Sequence, residues 1–227
     1  MDTTSHHGER LMATLEGCYE ARRASALSGV PVSTVYDWAR KDIVIPTISS
    51  TKTMFWSYAD LMALRIVYWL RHPKEKLPNV PTSSMNEVKR ALGELERLRL
   101  DIWDDGQPAD SPLRVDRSGT IYIVSEDFIQ ASGGQLALES ALDLLGPFSV
   151  GEGRGPHLIR PRPTLRIVPG KVSGEPHLLD TRITTKTLYA LYKRFGDVRA
   201  VSKLYPDQPE QAVAEGISLE EELNLAA

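Results

Sequence analysis

The sequence predicts a mainly α-helical fold with small β elements, in which two helical units flank an α+β middle. Apolar residues recur at i, i+3 and i+4 through both ends of the chain, whereas β-branched runs are short and bounded by turn residues. Two stretches, 72–84 with three prolines among polar residues and 146–163 rich in Gly and Pro, divide the 227 residues into pieces of domain size. Aromatic residues gather from Tyr36 to Trp69 and from Tyr189 to Tyr205, one cluster for each helical unit. The expected divisions are a flexible N-terminus over 1–18, a first helical unit over 19–72, a connecting region over 73–145, a Gly/Pro/Arg linker over 146–164 and a second helical unit over 165–227.

The first unit opens with helix formers from Tyr19 to Ser28, small or apolar at Ala21, Ala24 and Leu27, and stops at Gly29. After Val30, helical periodicity restarts at Pro31 through Val32, Val35, Tyr36 and Ala39. Two short helices joined by about three residues that include a Gly are a helix-turn-helix signature. The β-branched run 43–48, the polar turn 49–53 and apolar 54–56 then predict a small hairpin, or wing. Ser57 or its neighbour is placed to cap a helix whose stripe is Leu61, Leu64, Ile66, Val67 and Leu70.

In the connecting region, Ser84-Met-Asn-Glu87 has the form of a capping box and leads into a leucine-rich helix to Leu100. Residues 113–117 and 120–124 flank Ser118-Gly119 and predict a β-hairpin. Gln135 to Leu145 reads as a further helix. The second unit begins with a strand at 165–168 and a turn at 171–176, followed by helices over 185–195, 198–204 and 209–223.

Several function classes are excluded by composition and spacing. No apolar run approaches the ~18–20 residues of a membrane span, and the N-terminus lacks the pattern of a signal peptide, so a cytoplasmic protein is expected. The single Cys18 removes an intrachain disulfide or a cysteine zinc cage, and reads as a small apolar residue beside a core. The histidines are not at metal-ligand spacing, no nucleophile–base set or phosphate loop is evident, and the glycine-rich run 151–155 neither follows a clear strand nor opens a helix. No cofactor, metal or enzymatic activity is expected. The net charge of −3 hides alternating blocks: about +3 over 9–76, about −8 over 92–153, about +8 over 154–204 and about −6 over 205–227. Blocks of that kind are read by DNA or by a protein partner when they are not merely solvated faces.

Residues 19–71 resemble the winged helix-turn-helix of MerR-type regulators through Ala-Leu-Ser-Gly-Val30, Ser33-Thr-Val-Tyr36 and the run from Trp56 to Arg71, although Tyr36-Asp-Trp-Ala-Arg40 replaces the usual Leu-Arg-Tyr-Tyr-Glu. Residues 165–225 resemble the domain-of-unknown-function family 433 through Gly174-Glu-Pro176, Asp180-Thr-Arg-Ile183, Tyr205-Pro206-Asp207 and Glu210-Gln-Ala-Val213, with Asp180 where that family usually has Gly. Together the two ends look like a VapB-type antitoxin. That resemblance implies a VapC-like PIN-domain ribonuclease as partner, autorepression at operator DNA, a homodimer and a hetero-oligomer with the toxin.

A recognition helix in the major groove needs short polar groups and cations towards its N-terminal half, a need met by Ser33, Thr34, Tyr36, Arg40 and Lys41. Arg22, Arg23 and Lys52 are candidates for phosphate contacts, which position without specifying sequence. The Pro-flanked Arg160, Arg162 and Arg166 form a semi-rigid arm suited to pairing with clustered carboxylates, the chemistry the implied nuclease offers. Arg182, Tyr189, Tyr192 and Phe195 are further candidates for the toxin-binding surface, the aromatics otherwise being core or shelf residues. A stand-alone MerR-like regulator without a toxin is the alternative.

Overall fold

The computed structural model describes residues 17–73, 81–90, 110–115, 121–125, 128–129, 140–143 and 145–226. The expected flexible segment up to residue 16, the centre of the 72–84 loop, helix residues 91–100 and the Ser118-Gly119 turn lie outside them. The described chain is mainly helical, with small antiparallel sheets. Among the described residues no helix is long and apolar enough to cross a membrane.

Strand β1 (Tyr19–Glu20) leads directly into α1 (Ala21–Ser28), which ends at Gly29 with φ 78, the left-handed cap that glycine adopts without steric cost. Helix α2 (Val32–Arg40) follows after three residues, its first turn set by Pro31. The expected strand over 43–48 is not a strand. Instead, β2 (Phe55–Trp56) pairs antiparallel with β1, and a lone bridge from Ser49 to Phe55 closes the loop between them. The loop is pinned by Asp60 rather than by a ladder: its Oδ2 accepts from the backbone N–H of Thr47 (3.0 Å), the Thr47 hydroxyl (2.9 Å) and the Ser57 N–H (2.8 Å). Burial pushes this carboxyl above its usual range, and those hydrogen bonds offset only part of the rise. The last of the three belongs to the capping box that starts α3 (Tyr58–Arg71), and Ser57 Oγ accepts in return from Asp60 N–H.

A second capping box opens the helical residues 85–90 (α4), with Ser84 Oγ accepting from Glu87 N–H and Glu87 accepting from Ser84 N–H. Strands β3 (Asp110–Val115) and β4 (Ile121–Ser125) form the expected hairpin, extended by β5 (Phe128–Ile129) in the order β5-β4-β3-β6. The outer strand β6 (Ser140–Asp143) overturns the helix expected over 135–145 at those four positions, where Ala141 and Ser140 pair with Arg114 and Val115; residues 135–139 lie outside the described residues. A run as short as 140–143 suits either period, and the pairing with β3 decides for the strand.

Where the sequence suggested a linker, the chain is structured. Strands β7 (Phe148–Val150) and β8 (Gly153–Gly155) make a hairpin, and Phe148, Val150 and Leu158 are buried. The hairpin's glycines let its backbone lie on the α1–α2 turn. A Cβ on Gly29 would stand 2.6 Å from the Arg154 carbonyl carbon, and one on Gly153 would stand 2.6 Å from Gly29 O. Arg65 of α3, fully buried, fastens this junction. It donates to Leu27 O (2.9 Å) and Ser28 O (3.1 Å) at the end of α1, to Gly146 O (2.8 Å) and to Pro156 O (2.5 Å). Its guanidinium also stands 5.3 Å from the Phe148 ring centre.

Strands β9 (Leu165–Arg166) and β10 (His177–Leu178) pair ahead of α5 (Thr185–Phe195), α6 (Val198–Ser202) and α7 (Glu210–Ala226), close to the expected bounds. The three helices pack on one another, and a Cβ on Gly216 would come within 2.8 Å of Leu188, so α5 and α7 approach closely there. The two helical units share one buried core rather than two. Tyr19 donates to Gly174 O (2.8 Å), Tyr58 donates to Leu158 O (2.9 Å), and α1 packs against α7.

Two stability measurements follow from this packing. Arg65→Met is expected to remove at least about 3 kcal/mol, because several buried carbonyls lose their donor together; urea unfolding of the variant reads the loss directly. His177, buried and donating from Nδ1 to Glu175 O (2.9 Å), is held below its usual pKa by burial and by the charges of Lys171 and Arg166. The unfolded chain therefore binds a proton more readily than the folded one between the ordinary value of 6.5 and the lowered value. Stability falls as pH drops through that window, and His177→Gln flattens the fall in urea midpoint.

Candidate nucleic-acid and partner interfaces

Helix α2 is amphipathic because Val35, Trp38 and Ala39 point into the core at helical spacing. That phase leaves Ser33, Tyr36 and Arg40 exposed along the opposite stripe, with Thr34 half-buried beside them. Lys41 is exposed as well, but its ammonium pairs with Asp37 at 2.8 Å, so one of the expected cations is offset on its own face. Tyr36 meets Trp56 edge to face at 6.3 Å, tying the stripe to the strand that closes the 49–55 loop. Lys52 is exposed in that loop, which Ser49 Oγ braces by donating to Thr53 O (2.8 Å). The structure thus brings Ser33, Thr34, Tyr36, Arg40 and the loop bearing Lys52 around one end of the first unit.

Arg22 is exposed, but Arg23 corrects the expectation placed on it. Its guanidinium lies inside the seam between α1 and the second unit. There Nη2 pairs with Glu175 (2.6 Å) and Glu220 (2.7 Å), while Nε and Nη1 make further bonds to the same two carboxylates. At 9% side-chain exposure it has no reach to a phosphate. Glu220 also accepts from the Thr185 hydroxyl (2.6 Å), and Glu175 from Lys186 (2.7 Å). Burial opposes the Arg23 charge, and the two carboxylates more than restore it, so its pKa stays raised.

The arm carrying Arg160, Arg162 and Arg166 is not a free arm. Pro161 and Leu165 are buried, Ile167 N–H donates to Ile159 O (2.9 Å), and Thr164 gives both its N–H (3.1 Å) and its hydroxyl to Glu215 of α7. Burial pushes the Glu215 carboxyl up, but the Thr164 bonds together with the Gln211 amide and the Arg162 charge outweigh it and hold the group below its usual range. Arg162 pairs with Glu222, and Arg166 folds back on Leu165 O (2.6 Å) and Pro163 O (3.2 Å). Arg160 alone of the three has an exposed side chain without an ion pair among the described residues. The acidic stretch 215–222 therefore holds this segment down and supplies a partner of Arg23.

Tyr189, Tyr192 and Phe195 follow one another at i, i+3 and i+6 on α5. The two tyrosines are half-buried with ring centres 6.5 Å apart, and Phe195 is 45% exposed. Lys193 stands 5.9 Å from the Tyr189 ring and Arg194 5.7 Å from that of Phe195, so this face combines aromatic surface with cations. Arg182 is exposed on a turn that Thr181 holds, its hydroxyl donating to Leu178 O (3.0 Å) and accepting from Ile183 N–H (3.1 Å). Among the described residues no three His, Cys, Asp or Glu side chains come together in a form that could hold a metal.

Sequence reasoning misplaced Arg23 and missed Arg65, Glu175 and Glu220. Glu220 carried a readable signal: it continues the apolar row Val213, Ile217 and Leu223 of α7, and a carboxylate on such a row needs a buried cation. No protein-family model, curated protein or solved structure matches the chain.

The contrast between adjacent arginines is directly measurable. Arg23→Ala leaves Glu220 buried without its main partner and is expected to cost about 3–5 kcal/mol of unfolding free energy. Arg22→Ala leaves the unfolding midpoint unchanged and weakens retention on a heparin or DNA column.

Proposed function

We propose that the chain is an antitoxin that binds operator DNA through a winged helix-turn-helix and restrains a VapC-like PIN-domain ribonuclease through its second helical unit. The observation that carries this reading is the exposed stripe of α2, with Ser33, Tyr36 and Arg40 outward while Val35, Trp38 and Ala39 anchor the helix. A helix so placed presents hydrogen-bonding groups to base edges, and Arg22, Lys41 and Lys52 are placed to hold phosphates in register. The resemblance of residues 165–225 to the family-433 domains supports the second half, with Arg160, Arg162, Arg166 and Arg182 facing the nuclease's metal-binding carboxylates and Tyr189, Tyr192 and Phe195 supplying apolar contact.

One observation favours the alternative of a stand-alone regulator. The segment 160–166 is docked against α7, whereas an inhibitory arm has to leave its own fold to enter another active site. Engagement of a nuclease then requires Arg162 to exchange Glu222 for the partner's carboxylates, an even trade at a solvent-exposed position.

The experiment pairs promoter retardation with RNA cleavage. The purified chain is expected to shift DNA from its own promoter and to block cleavage by a nuclease encoded beside it. Arg40→Ala and Lys52→Ala each reduce the slope of log affinity against log salt by about 1. A chain that neither shifts that DNA nor protects RNA loses both readings; one that shifts DNA and has no nuclease partner is the regulator.

A further inference from the structure

A cleft of about 470 Å³ opens where α1, the β7–β8 hairpin, the segment 156–162 and the end of α7 meet. Its floor is apolar, made by Ala26, Phe148, Leu219 and Leu223, all buried. Its rim is cationic, with Arg154, Arg160 and Arg162 converging from two different segments. Glu222 is the one carboxylate that lines it, and that group is committed to Arg162. Arg154 directs Nη1 to the carbonyls of Gly151 and Gly153 (both 2.7 Å), which orients the guanidinium without neutralising it. Arg160 forms no ion pair among the described residues. Two uncompensated cations therefore stand over an apolar floor. On the same wall, His157 Nδ1 accepts from the N–H of Ile159 (3.1 Å) and Arg160 (3.2 Å), which braces the segment that carries Arg160.

We infer that this cleft is a binding site for a small amphipathic acid, a carboxylate carried on an apolar chain. The volume falls in the range of small-molecule sites, and the pairing of a dry floor with a few convergent polar groups is the usual arrangement of such sites. A carboxylate matches the planar fork of Arg160 in two-point geometry, while the apolar chain covers Phe148 and Leu223. The site lies outside the α2 stripe and requires neither DNA nor a nuclease.

The probe is octanoate, titrated calorimetrically into the full chain alone. Saturable binding of one octanoate per chain is expected, with octanamide, the same chain without the charge, binding at least about tenfold more weakly. Arg160→Ala, an exposed position, is expected to weaken octanoate by about tenfold with an unchanged unfolding midpoint. Ser149→Trp, exposed on the hairpin and lining the cleft, fills the space and abolishes binding. Arg182→Ala, away from the cleft lining, leaves it unchanged. Absence of saturable binding overturns the inference, as does octanoate binding that survives both Arg160→Ala and Ser149→Trp or is matched by octanamide. Promoter retardation and RNA protection are read on separate samples, so failure of this site and failure of the proposed function are distinguishable.

Discussion

The guanidinium of Arg65 is the constraint around which the first unit is arranged. A fully buried cation is tolerable only when its donors are met, and here they meet backbone carbonyls from three separate stretches of chain. Two of those carbonyls, Leu27 O and Ser28 O, belong to the last turn of α1, where helical bonding has run out. The same group thus caps one helix, holds α3 against it and draws in residues 146 and 156. A lysine presents a single point of charge and does not reach all of these directions at once. Once Arg65 has fixed the α1 terminus, Gly29 turns the chain, and α2 leaves with its apolar face inward and its polar stripe outward.

Arg23 extends the same logic across the seam. The pair of carboxylates around it comes from residues 175 and 220, so the end of the chain must be in place before the charge on α1 is satisfied. Buried ion networks add little net stability against an apolar core, but they penalise alternative dockings heavily because a displaced partner leaves a charge unmatched. The network therefore specifies how the second unit sits on α1. Glu220 and Arg23 thus tie α7 to α1, the helix that precedes α2.

The helices were legible wherever an apolar stripe coincided with a stop signal. Gly29, the cap at Ser57 and the capping box at Ser84 each marked a boundary that the structure keeps to within a residue or two. Elements whose pattern served two periods were not legible. The segment 140–143 is short enough to suit both helix and strand spacing, and pairing with β3 decided it. The glycine-rich run 151–155 read as spacer because small residues serve flexibility and close packing equally well, and only the backbone of Gly29 pressed against it distinguishes the two. Arginine is ambiguous in the same way: Arg22 and Arg23 are neighbours in sequence, yet a turn of 100° on the helix separates solvent from a pair of buried carboxylates.

Removing Arg23 from the surface changes what DNA binding demands of the molecule. The first unit then offers the exposed cations Arg22, Arg40, Lys41 and Lys52, with Lys41 already paired to Asp37. Nonspecific affinity scales with the number of phosphates neutralised, so one copy with so few cations holds DNA weakly at physiological salt. Two copies on a two-fold site double the phosphate contacts and add base contacts from a second α2, while the link between the copies makes the second engagement intramolecular. Exposed Glu221 on α7 disfavours orientations that bring it to the phosphate backbone. Under the proposed function, tight operator binding therefore belongs to a dimer, and an interface between copies is as necessary to recognition as the stripe of Ser33, Tyr36 and Arg40.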